Sequence, residues 1–205
     1  MKIYLAALND EMVESWQTVF ADCEDVEIHN GSILDLPCSA VISPANSFGF
    51  MDGGIDLQYL LHFGQSLQSR LQDRIVIRHG GELLVGQALI LETFHKQIPY
   101  LISAPSMRVP QQLNNSVNVY LATKAVLSLV KKGVFPDGDE EGKLISESLT
   151  SIAFPGIGTG VGGITPKQCA AQMKAAYDYV YAERPEFPGT ISEATDEHNY
   201  LANIN

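Results

Sequence analysis

Pro155-Gly-Ile-Gly-Thr-Gly-Val-Gly-Gly163 places five glycines in nine residues between an apolar run, 149–154, and a periodic segment from Pro166 to Ala182. The run reads as a strand and the segment as a helix, with Pro suited to its first turn. A plain connection needs one or two glycines, and each extra one costs chain entropy. A loop this rich in glycine turns sharply and bares its N–H groups, which is the arrangement that cradles a phosphate. The alternative is a flexible turn.

The rest of the chain alternates in the same sense. Residues 2–8 suit a buried strand, and Asn9-Asp10 offers a cap for a helix over 11–21. Short strands follow at Val26–Ile28 and Ser39–Ser43, with Pro44 marking the exit of the second. From Gly53-Gly54 apolar residues recur at near-helical spacing through residue 72, predicting one helix with a buried face. Strands are expected at 88–91 and at Tyr100–Ile102, then a helix over 113–131 stopped by Gly133. Residues 136–148 read as an acidic, solvated loop. The tail from Glu183, with Pro185, Pro188 and Gly189, lacks periodicity and is read as irregular. Strands separated by helices imply a mostly parallel sheet covered on both faces, and such sheets bind ligands beyond the carboxyl ends of their strands.

A second loop meets that description. Residues 46–56 lead from the strand ending at Ser43 into a helix whose first turn carries Asp56. Gly53-Gly54 bares amides beside the positive end of that helix. Asn46 has donor and acceptor atoms suited to ribose hydroxyls, and Asp56 can accept a hydroxyl proton or orient a water. Spacing alone serves equally well a turn asparagine and an aspartate that merely favours the helix dipole.

Other phosphate loops are excluded by context. Gly158-x-Gly160-x-x-Gly163 satisfies the dinucleotide fingerprint, but that motif opens a first βα unit with an acidic residue about 20 positions on, ending the next strand. Only a proline-interrupted tail follows here. Ile164-Thr165 after Gly163 lacks the lysine of a nucleoside-triphosphate loop.

Composition bounds the class. Of 205 residues, 45% are hydrophobic and 18% charged, enough to build a core and too little charge for disorder. The net charge of −11 argues against general nucleic-acid binding, which relies on clustered Lys and Arg. No apolar run is long enough to span a bilayer, so neither membrane association nor export is expected and a cytoplasmic location is. Cys23, Cys38 and Cys169 are widely spaced and read as reduced. The five histidines show no paired ligand spacing, Arg108 reads as a surface ion pair before a phosphate contact, and Trp16 as core.

Gly31-Ser-Ile-Leu-Asp-Leu-Pro-Cys-Ser-Ala-Val-Ile-Ser-Pro-Ala-Asn-Ser47, then Gly53-Gly-Ile-Asp56, then Phe154-Pro-Gly-Ile-Gly-Thr-Gly-Val-Gly-Gly163 resemble the macro domain family in their order. The resemblance implies a three-layer α/β/α fold with a mixed, mostly parallel sheet over residues 1–182, with 183–205 its tail. It implies a ligand, ADP-ribose or a related nucleotide, and as a possible partner an ADP-ribosylated protein. It further implies hydrolysis of O-acetyl-ADP-ribose or of mono-ADP-ribosylated acidic side chains, or else a reader that binds without turnover. Carried over by residue, Asn46 and Asp56 become catalytic. Ala45, Gly53, Gly54 and Ile55 join Gly156, Ile157, Gly158, Thr159, Gly160 and Val161 in holding ligand, and Ser32 and Ile33 meet the adenine. No cofactor and no metal are implied. Ser32 stands where the family usually has an aspartate that binds the adenine amino group, and Asp52 where active relatives commonly have glycine.

Overall fold

A computed structural model describes residues 1–184 and 187–204; Pro185 of the expected tail lies outside the described residues. The strands are β1 (Lys2–Ala7), β2 (Val26–Asn30), β3 (Ala40–Ser43), β4 (Leu89–Glu92), β5 (Tyr100–Ser103) and β6 (Ser151–Phe154). The helices are α1 (Asp10–Val19), α2 (Gly54–Phe63), α3 (Ser66–His79), α4 (Asn118–Lys132), α5 (Ile145–Ser148), α6 (Pro166–Tyr181) and α7 (Ile191–Asn203). The sheet runs β2-β1-β6-β3-β5-β4, every pairing parallel except the antiparallel edge pair β4–β5. The expected mixed, mostly parallel sheet is what forms.

Alternation along the strands sorts side chains into two cores. Ile3, Leu5, Ala40, Ile42, Ile102, Ile152 and Phe154 face α1, α4 and α6; Ala6, Val41, Leu101 and Ala153 face α2 and α3 on the opposite side. A period of two delivers successive residues to opposite faces, so a sheet with helices on both sides needs strands that are apolar throughout. That is why Ala40–Ser43 and Ser151–Phe154 are buried at every position. On α1 the stripe Met12, Trp16, Phe20 enters the first core, Trp16 without exposure. Asn9 caps this helix, its Oδ1 accepting from the Met12 N–H at 3.1 Å.

Several elements differ from the sequence expectation. The helix expected from Gly53-Gly54 to residue 72 is two, because Gly64 adopts φ +98°, outside helical space, and the chain restarts as α3. The helix expected from residue 113 begins at Asn118. Leu113 keeps helical spacing to Val117 but gives its N–H to the Gly162 carbonyl at 2.8 Å, and Asn115 sits at φ +57°. The tail read as irregular contains α7, started by Thr190, whose Oγ1 accepts from Glu193 N–H at 3.2 Å. Leu201 docks it against Tyr120 and Ala176, and the fully buried Gln172 donates to the Leu201 carbonyl at 3.0 Å.

Residues 136–148 are less free than a solvated loop: Asp137 pairs with Arg74 and Arg78, and α5 closes the segment. No helix among the described residues is long and apolar enough to cross a membrane.

Candidate functional site

β1, β6 and β3 lie side by side and point the same way, so the segments leaving their carboxyl ends, Leu8-Asn9, Pro155–Gly163 and Pro44–Gly54, emerge at one edge of the sheet. They enclose a cleft of about 680 Å³, within the range of small-molecule sites. Both glycine loops open onto it: Gly53, Gly54, Ile55 and Asp56 from one side, Gly156, Gly158, Thr159, Gly160 and Val161 from the other, with Ala45 and Asn46 between. Ser32 and Ile33 line it at the β2 end.

The 155–163 loop is braced so that its middle stays unpaired. Thr159 Oγ1 donates to the Gly156 carbonyl at 2.9 Å, Gly163 N–H to the Gly160 carbonyl at 3.0 Å, and Ile164 N–H to the Gly158 carbonyl at 3.1 Å. From outside, Gln112 Nε2 donates to the Val161 carbonyl at 2.8 Å. The amides of Gly158 through Gly162 find no acceptor among the described residues. Gly158 needs its glycine, at φ +74° with Leu113, Val119 and Ile164 about its α-carbon; Gly160 faces open space. Ile157 departs from its neighbours: its side chain is fully buried in the core and anchors the loop from below, contributing nothing to the cleft wall.

The other loop ends at an uncapped helix start. Gly53, the residue before α2, provides no side-chain cap, whereas Asn9 and Thr165 cap α1 and α6, whose starts also border the cleft. The first-turn amides of α2, with the positive end of its dipole, therefore stay available to an anion. Asn46 closes this loop on itself. Its Oδ1 accepts from Phe48 and Phe50 N–H at 3.1 and 3.2 Å, and its Nδ2 donates to the Phe50 carbonyl at 2.8 Å. The turn-forming reading of Asn46 is thus realised, with the same side chain on the cleft wall.

Asp56, in the first turn of α2, is 7% exposed and sits at the floor. Burial pushes its carboxyl up to about 7, opposed by the Ser43 hydroxyl, which donates to Oδ1. Tyr59, one turn on, is fully buried and donates to the Ile42 carbonyl at 3.1 Å; burial holds its phenol well above the ordinary range. A carboxyl that titrates near neutrality inside a cleft is placed for proton transfer.

Several liners carry no assigned role in the sequence reading, although Phe50 lies within the 46–56 loop and Ser106 and Met107 follow the strand at Tyr100–Ile102 on the ligand side of the sheet. Phe50, Ser106, Met107 and Pro110 reach the cleft from loops without periodic signal, and Asn9, legible as a helix cap, borders it because α1 starts there. Ser32 is itself a cap, its Oγ accepting from Leu34 N–H at 3.2 Å. Arg108 stays away: it pairs with Glu82 at 2.7 Å and covers the Phe48 ring. His62 and His95 stack with ring centroids 4.8 Å apart, outside the cleft. Cys38 and Cys169 are buried, and burial pushes both thiols up to about 12, as inert fillers behave.

The chain is similar in sequence and fold to known proteins. The family model described as Macro domain matches residues 42–173. An uncharacterized protein of Aquifex aeolicus is 29% identical over 148 residues, covering 72% of this chain and 77% of its own. Among solved structures, an Oceanobacillus iheyensis macrodomain with ADP superposes with a TM-score of 0.58 at 21% identity, covering 83% of this chain and 88% of that one. A mutant of it with ADPR gives 0.59 at 20% identity, covering 83% and 90%. The macrodomain of Mycobacterium tuberculosis DarG gives 0.55 at 18% identity, covering 72% and 86%.

Proposed function

The chain belongs to the macro domain family, and from that membership and its cleft we propose that it binds ADP-ribose or a close derivative and hydrolyses an ADP-ribosyl ester or glycosidic bond. O-acetyl-ADP-ribose and mono-ADP-ribosylated acidic side chains are the substrates this reading favours. The observation that carries it is the convergence of unpaired amides, Gly158–Gly162 and the first turn of α2, on one cleft with Asp56 at its floor. A diphosphate spans two such anion sites, and its distal ribose then falls beside Asn46 and Asp56. That solved macrodomains carry ADPR and ADP supports the ligand class.

For an ester, a water oxygen bonds to the carbonyl carbon while Asp56 takes the water proton. The bond from that carbon to the ribose oxygen then breaks, and the proton passes from Asp56 to the departing oxygen, leaving acid and alcohol. A group that is half ionised near pH 7 serves both transfers. Asn46 holds the loop at the ribose, and the diphosphate amides fix the distance of attack.

Calorimetry with ADP-ribose, ADP and ATP tests the ligand: no binding at micromolar concentration defeats the assignment. Release of ADP-ribose from a mono-ADP-ribosylated protein, and of acetate from O-acetyl-ADP-ribose, tests turnover. Binding without either makes the cleft a reader.

A further inference from the structure

Ser43, the last residue of β3, has no solvent exposure, and its hydroxyl donates to Asp56 Oδ1 on the neighbouring helix. Across the sheet its register partner on β5 is Ser103, equally buried, with a hydroxyl that finds no partner among the described residues. An apolar core would accept alanine at both positions, so two hydroxyls at the inner end of β3 and β5 ask for a reason. We propose that Ser43 is a positioning residue for Asp56: its buried hydroxyl fixes the carboxylate at the cleft floor and keeps the ionised form available as the proton acceptor. Ser43 touches Asp56 and has no surface with which to reach a ligand, so it acts through Asp56 alone.

The chemistry of the surroundings leaves this task to Ser43. A carboxylate out of water needs donors, and a hydrogen bond to the charged form favours it. No cationic side chain contributes at Asp56, and beside the positive end of the α2 dipole, in whose first turn it sits, its donor has to come from a neighbouring side chain. Tyr59 on its own helix spends its hydroxyl on the Ile42 carbonyl, and Cys38, ahead of β3, is buried with its thiol raised. The carboxylates of Asp52, in the loop before α2, and Glu11, on α1, line the same cleft. Ser43 is the side chain that donates to Asp56. Burial of Asp56 and this single donor oppose each other, and their balance leaves it titrating near neutrality.

The inference rests on Asp56 acting in the hydrolysis proposed above, and its test separates the two. In the ligand-free full chain, the carboxyl carbon-13 shift of Asp56, assigned with Asp56→Asn, is followed from pH 5 to 9 in the wild type and in Ser43→Ala. Loss of one hydrogen bond to a charged group should raise the midpoint by about one pH unit. The acid limb of hydrolysis against pH should move by the same amount, an about tenfold loss of rate at pH 6 that closes by pH 9. Ser43→Thr, which restores a hydroxyl, should return both toward the wild type; a merely structural serine would lower activity evenly across pH. Should Ser43→Ala not fold, Ser43→Cys, close in shape and a weaker donor, reads the same displacement. An unchanged Asp56 midpoint in a folded Ser43 variant overturns the proposal. A wild type without turnover defeats the hydrolytic reading, while the carbon-13 midpoint still decides whether Ser43 controls Asp56.

Discussion

Replacing Asp56 with asparagine removes a group whose ionisation the fold opposes, and its size can be worked from the site. The carboxyl titrates at about 7 in the folded protein against an ordinary value of 3.8. A group whose folded value is raised gives stability that is fully present below its unfolded value and is lost as pH rises through the folded one. The window is therefore pH 4 to 7. The gap of about 3 pH units corresponds to about 4 kcal/mol between its two ends. Between pH 5 and 8 the wild type should lose about 3 kcal/mol relative to Asp56→Asn, which has nothing to ionise there. In a chain of this size that is about 6–10 °C of melting temperature. The assay is thermal unfolding of both proteins in matched buffers at half-unit steps of pH. Every other titrating group is common to the two, so the difference between the curves isolates Asp56. Asp56→Asn should gain on the wild type steadily toward pH 8 while losing hydrolysis. Parallel curves across this range would refute the buried, near-neutral carboxyl and the proton acceptor built on it.

Gly160→Val fills open space on the cleft wall; its melting temperature should stay within about 2 °C of the wild type, and calorimetry should show at least an about tenfold loss of ADP-ribose affinity, about 1.4 kcal/mol. Gly162→Ala is the opposite case, since its Cβ would stand 2.5 Å from the Gly158 carbonyl oxygen, and denaturant unfolding should show a loss of about 1–3 kcal/mol. Leu201→Ala empties the seat of α7 and should cost about 2–3 kcal/mol with ligand affinity intact; an affinity change would show that α7 reaches the site. Arg108→Ala breaks an exposed pair with Glu82 and should change stability by less than about 1 kcal/mol and binding not at all.

The legible part of this fold is the part set by local chemistry. Strand runs such as 149–154 are apolar on both faces, and the stripe Met12, Trp16, Phe20 with its Asn9 cap declares a helix without help from elsewhere. The two loops were legible because glycine content is a local cost that only a turn or a ligand justifies. What escaped depends on distant partners. Leu113 continues the spacing of the helix after it, and only the Gly162 carbonyl, 49 residues on, pulls it out of register. α7 reads as tail because 11 of its 13 residues are not buried; its docking rests on Leu201 and on a glutamine buried in another helix. Gly64 was visible as a residue but not as a break, since a lone glycine is tolerated in a helix unless its φ must be positive. Asp56 was legible as a helix-start acid, yet its near-neutral titration comes from burial and from Ser43, thirteen residues earlier.

The charge inventory of the cleft decides which forces can hold an anion there. Its ionisable liners are Glu11, Asp52 and Asp56, and no lysine or arginine is among them, in a chain whose net charge is −11. Long-range attraction is therefore absent, and bulk charge repels. What remains are short-range dipoles: the unpaired amides of Gly158–Gly162 and the uncapped start of α2. These act at contact distance, where low local dielectric strengthens them, and fade beyond it. Such a site selects by geometry, because only an anion that meets both amide sets at once recovers the repulsion. Under the function proposed above, the anion that does so is a diphosphate with a sugar on each side.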